Sequence, residues 1–157
     1  MSSKLATLGA LLQKLRSARA RGKKVVFTNG CFDILHKGHT SYLEKAKKLG
    51  DVLVVGLNSD ASVRRSKGPD RPLNREKDRA QVLSALSCVD HVVIFSQDTP
   101  IKLIQALRPH VLAKGGDWGK KDVVGATFIE SLGGKVRLIP YVKGFSTTGL
   151  LEKIRSF

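Results

Sequence analysis

Residues 24–39 read KVVFTNGCFDILHKGH, and the fold turns on how they are understood. Lys24-Val25-Val26-Phe27-Thr28 is a short apolar run rich in β-branched residues, the pattern of a buried strand. Asn29-Gly30 interrupts it. A helical pattern follows, with Thr40 or Ser41 near its start and Tyr42, Leu43, Ala46 and Leu49 at three- and four-residue spacing. A helix N-terminus offers unpaired backbone N–H groups and a partial positive charge, which suits a phosphate. His36 and His39 flank Gly38 at that junction, and a glycine there lets a ligand approach the backbone closely. Both imidazoles are expected to point at whatever occupies the turn.

The same alternation continues along the chain. Val52–Leu57, His91–Phe95, His110–Ala113 and Lys135–Ile139 read as further buried strands. Between them, Ala80, Leu83 and Leu86, and then Ile101, Ile104 and Leu107, keep helical spacing. Leu5, Leu8, Leu11, Leu12 and Leu15 predict an additional N-terminal helix, and a last helix is expected from about Ser146 through Leu150, Leu151 and Ile154. The expected fold is α/β: a Rossmann-like, doubly wound, parallel five-stranded sheet with helices on both faces. One domain is expected over residues 1–157, with 1–22 as a helical extension. Ligands of such sheets bind beyond the carboxyl ends of the strands, where strand order reverses. The stretch Ser66–Arg75 (SKGPDRPLNR), with Gly68, two prolines and several basic residues, is expected to be the mobile loop.

Composition narrows the classes. Of 157 residues, 41% are apolar and 26% charged, too apolar for a disordered chain. No apolar run can span a bilayer, and no secretory signal is visible. Two cysteines, Cys31 and Cys88, cannot form a disulfide framework, so the expected location is the cytoplasm. Twenty-eight Lys and Arg against 13 Asp and Glu give a formal net charge of +15. That charge favours polyanions, from nucleic acid to phosphorylated small molecules, and equally describes a solvated basic surface. A nucleic-acid-binding protein without turnover is the remote alternative. The basic residues are spread along the chain, and no ribonucleoprotein, zinc-finger or basic-zipper pattern is visible.

The histidine turn is not a dinucleotide-binding loop, since it lacks Gly-x-Gly-x-x-Gly. Gly115–Lys121 is one residue short of a Walker A loop and lacks its Ser or Thr. A zinc site of Cys31, His36 and His39 would have unusual spacing and no evident fourth ligand, so no protein-held metal is expected.

Thr28–His39 resembles the nucleotide-binding signature of the cytidylyltransferase-like nucleotidyltransferases, whose hallmark is His-x-Gly-His. Gly144-Phe145-Ser146-Thr147-Thr148 is similar to that family's second motif, which opens its last helix. The resemblance runs from about Lys23 onward. Within the family, the histidine turn, Gly56–Val63, Lys67–Leu73 and Lys114–Trp118 are most similar to the heptose 1-phosphate adenylyltransferases. The glycerol-3-phosphate and ethanolamine-phosphate cytidylyltransferases are more distant.

This resemblance implies transfer of AMP from ATP to D-glycero-D-manno-heptose 1-phosphate, releasing pyrophosphate and making an ADP-heptose for surface polysaccharide. The alternative is a cytidylyl- or guanylyltransferase for another phosphorylated small molecule, such as glycerol 3-phosphate. The attacking phosphate is already anionic, so positioning and charge stabilisation are required rather than a strong base. His36, His39 and Lys67 are the expected catalytic residues. Cys31, Phe32, Gly38, Asp117, Ser146, Thr147 and Thr148 are expected to bind nucleotide together with the histidines. Arg65, Lys67, Arg71 and Arg79 are expected around substrate phosphate, with Arg65 and Lys67 in the loop after the second strand. Each has a plainer alternative: solvated loop charge for Arg65, Lys67 and Arg71, a brace for Arg79, and an ordinary N-cap for Ser146–Thr148. Asp33 is expected to hold the turn rather than to touch substrate. Mg²⁺ is expected to arrive bound mainly through substrate phosphates. No nucleic acid and no membrane insertion are expected, and the family implies a possible homodimer. One departure stands out. The glycerol-phosphate relatives carry an Arg and an acidic residue before the second motif, where this chain has Tyr141 and Lys143.

Overall fold

The computed structural model describes residues 4–116 and 119–157. Asp117, expected to bind nucleotide, lies outside them. Strands β1 (Val25–Gly30), β2 (Val52–Asn58), β3 (His91–Phe95), β4 (Val111–Gly115) and β5 (Lys135–Ile139) form one parallel sheet in the order β3-β2-β1-β4-β5. The helices are α1 (Leu8–Ala20), α2 (Lys37–Lys47), α3 (Asp60–Lys67), α4 (Glu76–Ala85), α5 (Ile101–Leu107), α6 (Ala126–Ser131) and α7 (Thr147–Arg155). This is the doubly wound arrangement expected from the alternating pattern.

Strand alternation divides the core. Val25, Phe27 and Leu112 face Leu11 and Leu15 of α1, Ile104 and Leu107 of α5, and Ile129 of α6. Val26, Val55, Val111 and Ala113 face Leu43 and Ala46 of α2 and Ala80 and Leu83 of α4. Each such Leu or Ile, buried on folding, contributes roughly 1.5–3 kcal/mol. The apolar runs are continuous because both faces of the central strands are covered.

The site is positioned by where strand order reverses. The chain steps from β1 to β2 to β3 on one side, then returns to place β4 on the other side of β1. β1 and β4 pair only at Val26↔Val111 and Phe27↔Leu112. Beyond Phe27 the two strands no longer pair with each other, though each stays paired to its outer neighbour, leaving a crevice where this topology places ligands.

Several local expectations are corrected. The first helix begins at Leu8, capped by the Thr7 hydroxyl, which accepts from Ala10 N–H at 3.3 Å. Leu5 instead bridges to Val92, so the N-terminal arm covers the open edge of β3. Helix α2 begins at Lys37 rather than near Thr40, because His36 caps it. Arg65 and Lys67 sit in the last turn of α3, not in a loop. Among the described residues no helix is long and apolar enough to cross a membrane.

Candidate active site

The turn after β1 is held by two buried polar residues. Arg79 is 2% exposed, and its guanidinium is wholly committed to protein. Nη1 donates to the Cys31 carbonyl at 2.6 Å, Nε to the Asn74 carbonyl at 2.9 Å, and Nη2 to Asp60 Oδ1 at 2.8 Å. Asp33 accepts from the backbone N–H of Leu73 and of Asn74, each at 2.9 Å, and from Arg71 Nε at 2.8 Å. Burial pushes its carboxyl up, but those hydrogen bonds outweigh it and hold the group below the usual carboxylate range. The turn also carries Phe32 at φ +46°, a left-handed conformation costly for an aromatic residue. Its ring lies 5.2 Å from that of His39.

The two imidazoles stack, with centroids 3.9 Å apart and planes 23° from parallel. His36 Nδ1 accepts from Gly38 N–H at 3.1 Å. In a neutral imidazole the other nitrogen then carries the proton, so His36 Nε2 is a donor. His39 Nδ1 is buried, with the Ile34 backbone facing the ring from the turn, which leaves Nε2 as the nitrogen able to meet a ligand. Burial, with His36 adding to it, pushes the His39 pKa down to about 4, and burial lowers His36 as well. The pair is therefore neutral at pH 7. A methyl group on Gly38 would stand 2.8 Å from His36 Cε1 and 3.2 Å from Phe145 Cβ, so a larger residue there would displace the His36 ring.

These rings line a cleft of about 710 Å³. Tyr42 belongs to the same wall, its hydroxyl 2.6 Å from Thr28 Oγ1. Burial pushes the Tyr42 pKa up to about 12. The start of α7 also lines the cleft. Ser146 caps that helix, its hydroxyl accepting from Gly149 N–H at 2.9 Å. The Ser146 oxygen is thereby engaged, while the first-turn N–H groups give this end of the cleft its positive character. Lys67, Arg71, Lys114 and Lys143 bring ammonium and guanidinium groups. Tyr141 lies against the end of β4, where a Cβ on Gly116 would approach its ring to 2.5 Å.

Of the residues singled out from sequence, Cys31, Phe32, His36, Gly38, His39, Lys67, Arg71, Ser146, Thr147 and Thr148 meet in this one cleft. Two do not. Arg65 pairs with Asp98 at 2.7 Å and with the Ser96 carbonyl, lining a separate shallow hollow with Thr99 and Lys102. Arg79 is the brace described above and reaches no open space. Asn29, Tyr42 and Lys114 line the cleft without having been singled out. Tyr42 falls on the expected apolar face of α2, but Asn29 and Lys114 lie just past the expected strands, which stop at Thr28 and Ala113 and in the structure run on to Gly30 and Gly115. A hollow of about 490 Å³ at the opposite, amino-terminal edge of the sheet holds Arg19, Lys24 and Arg108 and has no imidazole pair. Among the described residues no three His, Cys, Asp or Glu side chains converge as a metal ion would require.

Comparison with known proteins fits this geometry. A family model described as cytidylyltransferase-like matches residues 27–156. The chain is 56% identical over 152 residues to the bifunctional protein HldE of Pelobacter propionicus, and 57% identical over 152 residues to that of Syntrophotalea carbinolica. Each alignment covers 97% of this chain and 31% of the relative, so the chain spans about a third of the length of these curated proteins. Among solved structures, the lipopolysaccharide core biosynthesis protein from Thermoplasma volcanium superposes with a TM-score of 0.64 at 31% identity, covering 79% of this chain and all of that one. With the histidine turn, the α7 motif and the sheet order all in place, the chain belongs to the cytidylyltransferase-like family.

Proposed function

We propose that the protein is an adenylyltransferase that moves AMP from ATP to D-glycero-D-manno-heptose 1-phosphate, releasing pyrophosphate and forming an ADP-heptose. The observation that carries this reading is the stacked His36–His39 pair facing the α7 start across one cleft. The names of the relatives, HldE and a lipopolysaccharide core biosynthesis protein, support the substrate class.

The chemistry asks little of acids and bases. An oxygen of the sugar phosphate forms a bond to the α-phosphorus while the bond to the β-phosphate oxygen breaks. No proton need move in that step, and charge passes to the leaving pyrophosphate. His36 donates through Nε2 to an α-phosphate oxygen, its tautomer fixed by Gly38 N–H. His39 presents Nε2 beside it. Two neutral imidazoles can stand at stacking distance, whereas two imidazolium ions would repel. The α7 start receives the β- and γ-phosphates through its N–H groups, and Lys67 and Arg71 offset the charge that builds at the transition state. Mg²⁺ arriving with the triphosphate would supply further charge neutralisation beside Lys67 and Arg71. An ATP-consuming reaction and two unpaired thiols, Cys31 and Cys88, suit the reducing cytosol.

The test is pyrophosphate release from purified protein with Mg²⁺, across ATP, CTP and GTP and a panel of sugar and polyol phosphates. The reading predicts turnover with ATP and a heptose 1-phosphate. Turnover only with CTP and glycerol 3-phosphate would replace it with the cytidylyl alternative, and silence across the panel would refute it.

A further inference from the structure

Lys114 is the last side chain of β4 before its terminal glycine. Leu112 packs against the α1/α5 face of the sheet, so Lys114, two residues on, emerges on that face. Asn29, two residues beyond Phe27, does the same from β1. Because β1 and β4 no longer pair at this level, the two side chains share the crevice between the strand ends. Lys114 lines both the histidine cleft and a smaller hollow of about 160 Å³, whose other walls include Asn29, Pro100, Asp122 and Val123. The hollow is much smaller than the histidine cleft it adjoins.

The ammonium group is half-buried and makes no ion pair or hydrogen bond among the described residues. Burial lowers its pKa. Leaving a cation partly desolvated and unpaired is unfavourable, and the cost is recovered when an anion arrives. On the proposed reading the triphosphate lies against the histidines and the α7 start, on the α2 side of the crevice, which leaves the ammonium to the acceptor's phosphate. Beside the ammonium, the hollow offers an amide, a carboxylate and apolar walls. That set matches hydroxyls and C–H faces of a polyol.

We infer that Lys114 grips the phosphate of the acceptor, while Asn29 and Asp122 in the adjoining hollow read the hydroxyls of its carbon skeleton. This rests on the nucleotidyl-transfer reading for its place in the reaction, but binding can be measured without turnover. The experiment compares wild type with Lys114→Met, which keeps length and removes charge, and with Lys114→Arg. Heptose 1-phosphate is titrated by calorimetry into each protein saturated with a non-hydrolysable ATP analogue, and steady-state KM values are measured in parallel. Lys114→Met is expected to weaken heptose 1-phosphate about 10- to 100-fold while analogue affinity and the KM for ATP stay within about twofold. Lys114→Arg is expected to restore part of the loss. Unchanged heptose phosphate affinity in Lys114→Met, or a loss confined to ATP, overturns the assignment. Wild type that binds heptose 1-phosphate through Lys114 yet never releases pyrophosphate refutes nucleotidyl transfer and leaves the assignment standing. Wild type that does not bind it at all overturns both. A misfolded Lys114→Met would be recognised by lost analogue binding, and Asp122→Asn then decides: the assignment predicts a raised KM for the sugar phosphate alone, and an unchanged one rejects it.

Discussion

Gly38 shows how little room the chemistry leaves at single residues. Gly38→Ala would force the His36 ring away from the N–H that fixes its tautomer. A displacement of that order costs about 100-fold in kcat, and thermal unfolding should change by no more than a few degrees because the turn is open to the cleft. His39→Ala is expected to abolish turnover while circular dichroism stays native, and loss of folded signal would show a structural role instead. Lys143, on the cleft wall, should help attract the triphosphate, so Lys143→Glu is expected to raise the KM for ATP. His39 also sets a pH dependence. Folded, it takes its proton only near about 4, whereas a free imidazole does so near about 6.5. The unfolded chain binds more protons between those values, so this residue's contribution is full above about 6.5 and declines as pH falls toward 4. A bound triphosphate favours the imidazolium form, so ATP binding near pH 5.5 (about midway) should take up protons. Calorimetry in buffers of different ionisation heat reads that uptake directly, and none would count against contact between His39 and phosphate.

At the scale of elements, the segment expected to be mobile is partly tethered. Asp33 binds the N–H groups of Leu73 and Asn74 and the side chain of Arg71, while Arg79 holds the Asn74 carbonyl. Asp33→Asn removes charge from a buried acceptor of three donors and should cost about 1.5–3 kcal/mol. Hydrogen exchange at Leu73 and Asn74 should accelerate in that variant, and in wild type should be slow with or without ligand. Arg79→Met leaves two carbonyls and Asp60 without their donor, and should destabilise the fold by about 3 kcal/mol. What sequence could and could not show divides here. The histidine turn and the α7 start were legible because their residues act through neighbours in sequence, a glycine two residues away or a cap three residues on. The choice between phosphate contact and a protein-facing role for Arg65 and Arg79 could not be read from sequence, because their partners, Asp98 and Asp60, lie 33 and 19 residues distant. Helix α3 went unseen because it is eight residues long and buries only Ser62 and Val63, too little for an amphipathic period.

At the scale of the whole molecule, the sheet was readable from its buried β-branched runs, and the crevice follows from its order. What the runs could not show is that β1 and β4 part after Phe27, a matter of ladder length rather than composition. The net charge of +15 acts over the same scale. It should speed ATP capture at low salt, so the KM for ATP is expected to rise as ionic strength shortens the Debye length to about 8 Å and below. The fate of the individual phosphates bears most directly on the account. Supplied with heptose 1-phosphate and Mg²⁺, ATP labelled at its α-phosphorus should deliver the label to the nucleotide sugar, and ATP labelled at its γ-phosphorus should deliver it to pyrophosphate. Label from the γ-position on the sugar, or no transfer from either, would contradict nucleotidyl transfer at the His36–His39 cleft.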